Sequence, residues 1–406
     1  MTSNGRLVIL IGDGMADHPV PELQGRTPLE VARHPQMDAI AKAGRGGLLE
    51  TVAEGLKPSS DIAIMSVLGY DPRKYYTGRG PLEAAAMGIA LRPDEICFRC
   101  NLVTLRDSAM ASYSAGNIKT EDAAAFIALL QQRFGRAGVR FYPGVSYRHL
   151  LVVSRQVLGS DGRGLELKAP HDITDKAYEP HLPHGPGEAF LRGVMAEAHE
   201  FLTHDPAARQ LRAAGRGAAN AIWLWGHGGA PTLPTFEQRY GIARGAAITA
   251  VDLIRGLARL MRLDVKDVPG ATGYYDTNYA GKGAAAVELL ATHQFVLVHV
   301  EAPDEASHNG ELQEKIRAIE NFDTHVVGPV WQAVQRLPSF CLAVLPDHPT
   351  PLDCRTHVRE KVPLAVCGSG VVADGSMAEF TEPAARRSAW QDLTGLQLIE
   401  WMRATL

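Results

Sequence analysis

The chain has 406 residues, too many for one typical hydrophobic core, so we expect two domains. Its 46% hydrophobic and 21% charged residues are typical of globular proteins. The net charge of −4 argues against a nucleic-acid-binding surface, although a locally positive pocket could still bind a small anion. No apolar run is long enough to span a membrane. Five cysteines, an odd number, favour reduced thiols in a cytoplasmic protein.

The first predicted strand leads to an aspartate. Residues 7–11 are apolar and mostly β-branched, and the run ends at Asp13 between two glycines. Open α/β sheets bind ligands at the carboxyl ends of strands, so Asp13 is a candidate ligand residue, with a turn role as the alternative. A helix is predicted over 27–43, with Thr27 as its cap and Pro28 in its first turn.

The stretch around Ser60 predicts a helix N-terminus that carries a hydroxyl. A turn-forming run at 57–59 leads into Ser60 and Asp61, and the apolar run 62–68 follows. Free N–H groups at a helix N-terminus can hold a phosphate, so Ser60 is a candidate nucleophile, with an ordinary cap as the alternative. Arg79, in a flexible Gly-Arg-Gly run, could bind phosphate or carboxylate, or could be a solvated loop residue.

The middle of the chain predicts a second, smaller α+β unit. Strands are predicted at 97–104, 139–142, 147–153 and 219–225, and helices at 121–134, 187–202 and 246–263. The return to the first domain is placed just after this last helix. We therefore predict a discontinuous domain of residues 1–99 and 268–406, with residues 100–267 inserted as the smaller domain.

An apolar strand predicted at 294–300 leads into a carboxylate and an imidazole. Asp304 and His308 are four residues apart, so on a helix they share one face and can chelate one cation. A core or capping histidine is the alternative for His308 alone.

A second apolar strand, predicted at 339–345, ends in the same way at Asp347 and His348, and His357 follows after a loop. Two strands that each end in such a pair are hard to explain structurally, so we predict a dinuclear metal site. The candidate ligands are Asp13, Ser60, Asp304, His308, Asp347, His348 and His357.

The donor set indicates the metal and the chemistry. Carboxylates and imidazoles without thiolates suit Mn²⁺ or Zn²⁺ better than Ca²⁺ or copper. Paired divalent ions can activate one oxygen and neutralise phosphoryl charge. Ser60, a poor nucleophile until it is activated, could then attack phosphorus and form a phosphoserine, from which water or a hydroxyl takes the phosphoryl group.

Seven segments carry a family resemblance. They are Asp13-Gly14, Pro58-Ser59-Ser60-Asp61, Gly69-Tyr70-Asp71-Pro72, Gly78-Arg79-Gly80-Pro81-Leu82-Glu83-Ala84, Phe98-Arg99-Cys100-Asn101-Leu102, Asp304-Glu305-Ala306-Ser307-His308 and Pro346-Asp347-His348. In combination and order they resemble the archaeal-type cofactor-independent phosphoglycerate mutases of the alkaline phosphatase superfamily, over nearly the whole chain. The resemblance implies an α/β fold, an alkaline phosphatase-like core with a mostly parallel sheet flanked by helices, plus an inserted smaller α+β domain that closes over the substrate.

The resemblance also implies an activity, the interconversion of 3-phosphoglycerate and 2-phosphoglycerate through a phosphoserine, without bisphosphoglycerate. Two divalent metal ions are expected, Mn²⁺ first, with Zn²⁺ or Co²⁺ as replacements. One metal would take Asp304, His308 and His357, and the other Asp13, Ser60, Asp347 and His348. The residue before the nucleophile is usually glycine in this family and is Ser59 here. This leaves two hydroxyls to choose from, and we favour Ser60.

The substrate side of the resemblance is looser. Arginine forks suit both phosphate and carboxylate, and His171 with Asp172 could act on the substrate hydroxyl as base and orienter. The candidate substrate contacts are Arg79, Arg99, Asn101, Arg148, His149, His171, Asp172 and Lys282. The expected partner is a small phosphorylated acid, with no nucleic acid and no membrane.

Two other readings share much of this pattern. A relative in the same superfamily could be a homoserine kinase-like enzyme or a hydrolase of phosphate esters or phosphonates, although the chain lacks the G-x-x-x-x-G-K-[ST] phosphate loop expected of a nucleotide-dependent kinase. A mutase must also keep water out of its closed site, which a hydrolase need not do. A non-catalytic metal-binding protein is the third reading, and the presence of every candidate ligand counts against it.

Overall fold

The computed structural model describes residues 5–406, which form two compact units. The first is discontinuous, with residues 5–76 and 233–406, and the second is continuous, with residues 77–232. The sequence places these boundaries later, at 99/100 and 267/268. The difference arises because one strand of the second unit, Glu95–Arg106, runs unbroken through the first expected boundary, and because Gly245–Ile248 pairs with the sheet of the first unit.

The strands of the described residues form two sheets. In chain order they are β1 (Arg6–Gly12), β2 (Arg45–Glu50), β3 (Glu95–Arg106), β4 (Ala109–Ser112), β5 (Val139–Tyr142), β6 (Arg148–Ser154), β7 (Ala221–Gly229), β8 (Gly245–Ile248), β9 (Asp264–Val265), β10 (Phe295–Val300), β11 (Phe340–Leu345), β12 (Val362–Gly368) and β13 (Trp390–Thr394). The first unit's sheet has the order β13-β2-β12-β11-β1-β10-β8-β9 and is mostly parallel. The second unit's sheet has the order β4-β3-β6-β5, with β7 on β3, and is antiparallel. The predicted mixed α/β class is confirmed.

Most helices flank these two sheets. They are α1 (Pro28–Val31), α2 (Pro35–Ala43), α3 (Ser60–Val67), α4 (Pro72–Tyr75), α5 (Arg79–Ala86), α6 (Thr120–Phe134), α7 (Arg155–Leu158), α8 (Glu188–His204), α9 (Pro206–Ala213), α10 (Phe236–Tyr240), α11 (Asp252–Leu260), α12 (Tyr279–Leu290), α13 (Ala302–Asn309), α14 (Leu312–Phe322), α15 (Gly328–Val334), α16 (Glu382–Arg387) and α17 (Gly395–Ala404). Single 3₁₀ turns lie at Pro21–Leu23, Pro170–Ile173 and Glu179–His181, and a π-helical turn at Asp323–Val327 joins α14 to α15.

Two predicted helices differ from the structure. The helix predicted over 27–43 is two helices, because the residue before a proline avoids helical backbone and α2 restarts at Pro35. Thr27 caps α1, as predicted. The helix predicted over 246–263 begins as the buried strand β8, and only its second half is helical. A short run of alanines can be buried on both faces of a parallel sheet, which its helix propensity conceals.

Each unit buries its own core. In the first unit, apolar side chains of β1, β10 and β11 pack against α12, α14 and α15. In the second, those of β3, β6 and β7 pack against α6 and α8. No helix among the described residues is both long enough and apolar enough to cross a bilayer.

Candidate metal centre

Three parallel strands deliver the candidate ligands to one edge of the first unit's sheet. β1 lies between β10 and β11, in register such that Gly12 pairs with Val300 and Ile11 with Leu345. Parallel neighbours end at the same edge, so the residues that follow them meet there. Asp13 follows β1, Asp304 lies on α13 after β10, and Asp347 follows β11.

One group of ligand atoms surrounds the Ser60 hydroxyl at the start of α3. Asp13, Asp347 and His348 are buried and could hold one metal ion, with ligand atoms within 4.8 Å of one another. Ser60 Oγ lies 3.2 Å from His348 Nε2 and 3.4 Å from Asp13 Oδ2. His348 Nε2 lies 3.4 Å from Asp347 Oδ2. These distances place a hydroxyl, two carboxylates and an imidazole around one point.

The second group adjoins the first. Asp304, His348 and His357 could also hold a metal ion together. His308, one turn along α13, places its Nε2 3.1 Å from Asp304 Oδ2 and 3.0 Å from His357 Nε2. His348 belongs to both groups, whereas the sequence resemblance assigns it to one.

The outer nitrogens of two histidines are fixed by backbone oxygens. His308 Nδ1 lies 2.9 Å from the carbonyl oxygen of Arg355, and His357 Nδ1 lies 3.4 Å from that of Pro58. Nε2 of each ring faces Asp304, to which it donates when it is protonated and beside which it can bind a metal when it is not. This is the arrangement by which proteins orient histidine ligands of a metal.

Negative charge is crowded at this edge of the sheet. Burial, together with the carboxylates of Asp347 and Asp304, raises the pKa of Asp13 well above its ordinary value. Burial also opposes ionisation of Asp304, but hydrogen bonds from His308 and His357 outweigh it and hold that pKa well below the ordinary value. Within the described residues, Asp13 Oδ1 and Asp347 Oδ2 are buried and accept no hydrogen bond. A divalent cation would satisfy both oxygens, so the residues fit a metal.

Ser59 is not a second free hydroxyl. It donates to Asp61 Oδ1 at 2.5 Å, and Tyr76 donates to Asp61 Oδ2 at 2.7 Å. Its φ of −169° is extended backbone, which serine adopts as readily as glycine. Of the two serines, Ser60 is therefore the one whose hydroxyl faces the candidate ligands.

A family model described as 2,3-bisphosphoglycerate-independent phosphoglycerate mutase matches residues 41–208. A protein of that name from Methanothrix thermoacetophila is 48% identical over 400 residues, covering 98% of this chain and 100% of the relative. One from Methanosarcina acetivorans is 45% identical, covering 95% and 96%. The chain belongs to this mutase family. The resemblance seen in its motifs is confirmed, and so is the enzyme class, because members of the family are isomerases.

Solved structures agree with the family assignment. The cofactor-independent phosphoglycerate mutase from Thermoplasma acidophilum is 27% identical and superposes with a TM-score of 0.66, covering 98% of this chain and 99% of that one. A Pyrococcus horikoshii protein is 28% identical with a TM-score of 0.82, covering 99% and 97%. The fold of this mutase family therefore extends over nearly the whole chain.

Behind Asp13 lies a buried network that the sequence motifs do not reveal. His299 Nε2 lies 3.2 Å from Asp13 Oδ2, and its Nδ1 lies 3.3 Å from Glu301 Oε1. Lys282, a predicted substrate contact, is fully buried and donates to Glu301 Oε2 at 3.2 Å and to the carbonyl oxygen of His299 at 2.9 Å. Burial opposes ionisation of Glu301, but Lys282 and His299 outweigh it and lower its pKa to about 2. Lys282 thus holds Glu301 and the backbone of His299, the residues behind the candidate ligand Asp13. The prediction that Lys282 contacts substrate is not supported.

Several other residues that are predicted to contact substrate lie on one sheet of the second unit. Arg99 and Asn101 lie on β3, and Asn101 pairs with Arg148 on β6. The Arg99 guanidinium lies 4.2 Å from the ring centre of Trp225, whose Nε1 donates to Asn101 Oδ1 at 3.0 Å. Burial, and the charges of Arg79 and Arg148, outweigh the ion pair with Glu83 and lower the pKa of Arg99. Guanidinium groups suit phosphate and carboxylate, so the predicted contact of these arginines with an anion stays a prediction.

The remaining predicted residues of the second unit differ in exposure. His149 is buried, and its Nδ1 accepts a hydrogen bond from the backbone N–H of Gly144 at 3.0 Å. Burial, with the charge of Arg148, lowers its pKa to about 3, so it is neutral and stabilises a turn. His171 and Asp172 lie on a 3₁₀ turn with about half of each side chain exposed.

Trp225 and the His299 network were missed by the sequence motifs. Trp225 was visible only as an aromatic residue in a strand, and His299 and Glu301 only as polar residues at the end of β10. The roles of these residues follow from their burial and their charged partners, which the sequence does not show.

Proposed function

We propose that this chain interconverts 3-phosphoglycerate and 2-phosphoglycerate, without bisphosphoglycerate, through a phosphoserine on Ser60. The observation that carries the mechanism is that Ser60 Oγ lies 3.2 to 3.4 Å from two candidate metal ligands, while Ser59 is hydrogen bonded to Asp61. The family assignment supports a mutase over a kinase or hydrolase built on the same core.

The proposed centre takes two divalent cations, Mn²⁺ first and Zn²⁺ or Co²⁺ as replacements. Asp304, His308 and His357 would hold one, and Asp13, Ser60, Asp347 and His348 the other. His348 lies close enough to both groups to fix their spacing. Cations bound there would neutralise phosphoryl charge and lower the pKa of a hydroxyl.

The protein's part in the first half-reaction is to hold and deprotonate a hydroxyl. Ser60 Oγ attacks phosphorus, a new O–P bond forms, and the bond from phosphorus to the glycerate oxygen breaks. The Ser60 proton can pass to Asp13 Oδ2 at 3.4 Å, and the released glycerate oxygen takes up a proton from the pair His171 and Asp172. In the second half-reaction that pair takes the proton of the other glycerate hydroxyl, whose oxygen attacks phosphorus. The bond from phosphorus to Ser60 Oγ then breaks, and Asp13 returns the proton to Ser60.

The second unit supplies the proposed contacts with the substrate. Arg79, Arg99 and Arg148 bring three guanidinium groups to one region, and Asn101 is held there by Trp225. We assign these residues to the phosphate and carboxylate, with exposed His171 and Asp172 as the pair that exchanges the glycerate proton. A cytoplasmic location fits an enzyme that acts on a small phosphorylated acid.

The proposal is tested by assaying the Mn²⁺-reconstituted protein with 3-phosphoglycerate and no bisphosphoglycerate. We expect 2-phosphoglycerate to form with little free phosphate. Isotopically labelled free glycerate should not enter the product, because a mutase retains its own glycerate. Phosphate release without 2-phosphoglycerate would identify a hydrolase and overturn the proposal.

A further inference from the structure

A buried hydroxyl contacts two of the candidate metal ligands. Thr350 is fully buried, and its Oγ1 donates to Asp304 Oδ1 at 2.5 Å. The same oxygen lies 3.2 Å from Nδ1 of His348. Asp304 and His348 both belong to the second group, and His348 also belongs to the first, so this hydroxyl connects Asp304 to the one ligand that the two groups share.

The backbone of Thr350 is held without its hydroxyl. Its N–H donates to the carbonyl oxygen of Ala16 at 3.2 Å, and its carbonyl accepts from Lys315 Nζ at 3.0 Å. Lys315 is itself paired with Asp17 at 2.8 Å. The loop therefore has backbone anchors besides the hydroxyl.

The hydroxyl has one proton, which determines the state of His348. Because Thr350 donates that proton to Asp304, its lone pairs face His348, and Nδ1 of His348 must donate. The lone pair of His348 then lies on Nε2, the atom 3.2 Å from Ser60 Oγ. Backbone carbonyls perform this task for His308 and His357, whereas His348 relies on a side chain that is also bonded to Asp304.

We propose that Thr350 is a positioning residue that joins the two metal groups. It orients Asp304 and selects the tautomer of His348, so that one hydroxyl positions ligands of both metal ions. The inference rests on the dinuclear centre of the proposed function. Its consequence is that loss of one hydroxyl, without loss of any ligand, weakens metal binding and uncouples the two ions.

The test compares Thr350→Val, which keeps the shape and loses the hydroxyl, with Thr350→Ser, which keeps the hydroxyl. Calorimetric titration of the metal-free protein with Co²⁺ is expected to show one ion bound about 10- to 100-fold more weakly by the valine variant. The serine variant is expected to bind like the wild type. Should the valine variant misfold, Thr350→Ala serves for the same comparison with serine.

A second readout requires neither metal nor turnover. Long-range ¹H–¹⁵N NMR of the metal-free protein should show the His348 proton on Nδ1 in the wild type and the serine variant, and a tautomer mixture without the hydroxyl. If the wild type binds two Co²⁺ ions and the variant without the hydroxyl matches it, the bridging role is wrong while the centre stands. If the wild type binds no divalent ion, both the centre and the bridging role are wrong.

Discussion

At the scale of single residues, two adjacent serines offer a direct test of the nucleophile. Ser60→Ala is expected to lower turnover at least about 10³-fold and to abolish phosphoprotein formation, because no other hydroxyl takes its place. Ser59→Ala removes a hydrogen bond to Asp61, worth about 1 kcal/mol, and should keep most of the activity. Acid quenching with ³²P-labelled substrate measures both effects. A phosphoprotein that persists in Ser60→Ala and disappears in Ser59→Ala would assign the chemistry to the other serine.

Gly14 illustrates how closely the backbone approaches the centre. Its φ is +61°, and a Cβ there would lie 2.5 Å from Asp304 Oδ1 and 2.6 Å from Thr350 Oγ1. Gly14→Ala should therefore displace both groups and greatly weaken Co²⁺ binding, measured by calorimetry. Gly25→Ala is the matched control, since its φ is +79° but its Cβ would meet no atom within 4 Å. Equal losses in the two variants would mean that backbone strain alone is responsible.

The sequence predicts the meeting of the candidate ligands more directly than the surroundings of the candidate substrate residues. Asp13 and Asp347 follow apolar runs, so their meeting at one sheet edge follows from strand direction alone. In the sequence alone, Lys282 and His149 cannot be distinguished from exposed polar residues. Their burial depends on tertiary partners, Glu301 for one and the Gly144 turn for the other, which no local pattern encodes.

At the scale of elements, Asp323 caps α2 from a distant part of the chain. Its carboxylate accepts from the backbone N–H groups of Met37 at 2.8 Å and Gln36 at 3.2 Å. Burial raises its pKa from 3.8 to about 6. The folded protein thus binds this proton more tightly than the unfolded chain, and stability falls as pH rises from about 4 to about 6, by up to about 3 kcal/mol.

Asp323→Asn tests this pH dependence, because asparagine keeps an acceptor oxygen and cannot ionise. Relative to the variant, the wild type should lose stability between pH 4 and pH 6 and should change little above pH 7. Chemical unfolding of both proteins across this range measures the difference. A difference that does not vary with pH would contradict the expected ionisation.

Elements were predictable where pattern and burial agree. β11 is a continuous apolar run and β10 is apolar except for His299, and the structure retains both strands. One predicted helix is interrupted before Pro35, because a proline disfavours helical backbone at the preceding residue. The alanines of β8 have helix propensity, and only the neighbouring strands β10 and β9 make that segment extended.

At the scale of the whole molecule, every candidate metal ligand lies in the first unit. Metal binding should therefore stabilise that unit, by about 2.7 kcal/mol when free metal is at 100 times its dissociation constant. Hydrogen exchange followed by mass spectrometry is expected to show Mn²⁺-dependent protection in residues 5–76 and 233–406. His308→Ala should reduce this protection and the activity together. Unchanged protection in that variant would remove His308 from the ligand set.

The discontinuity of the first unit has a consequence for biosynthesis. β1 lies between β10 and β11 in the sheet. These two partner strands, residues 295–300 and 340–345, are synthesised almost 300 residues or more after β1. The continuous second unit is complete at residue 232, long before that point. During synthesis, β1 is therefore present without its partner strands at a stage when the second unit can already fold. A ribosome-bound chain should be most prone to aggregation in that interval, and chaperones that cover apolar strands should act there.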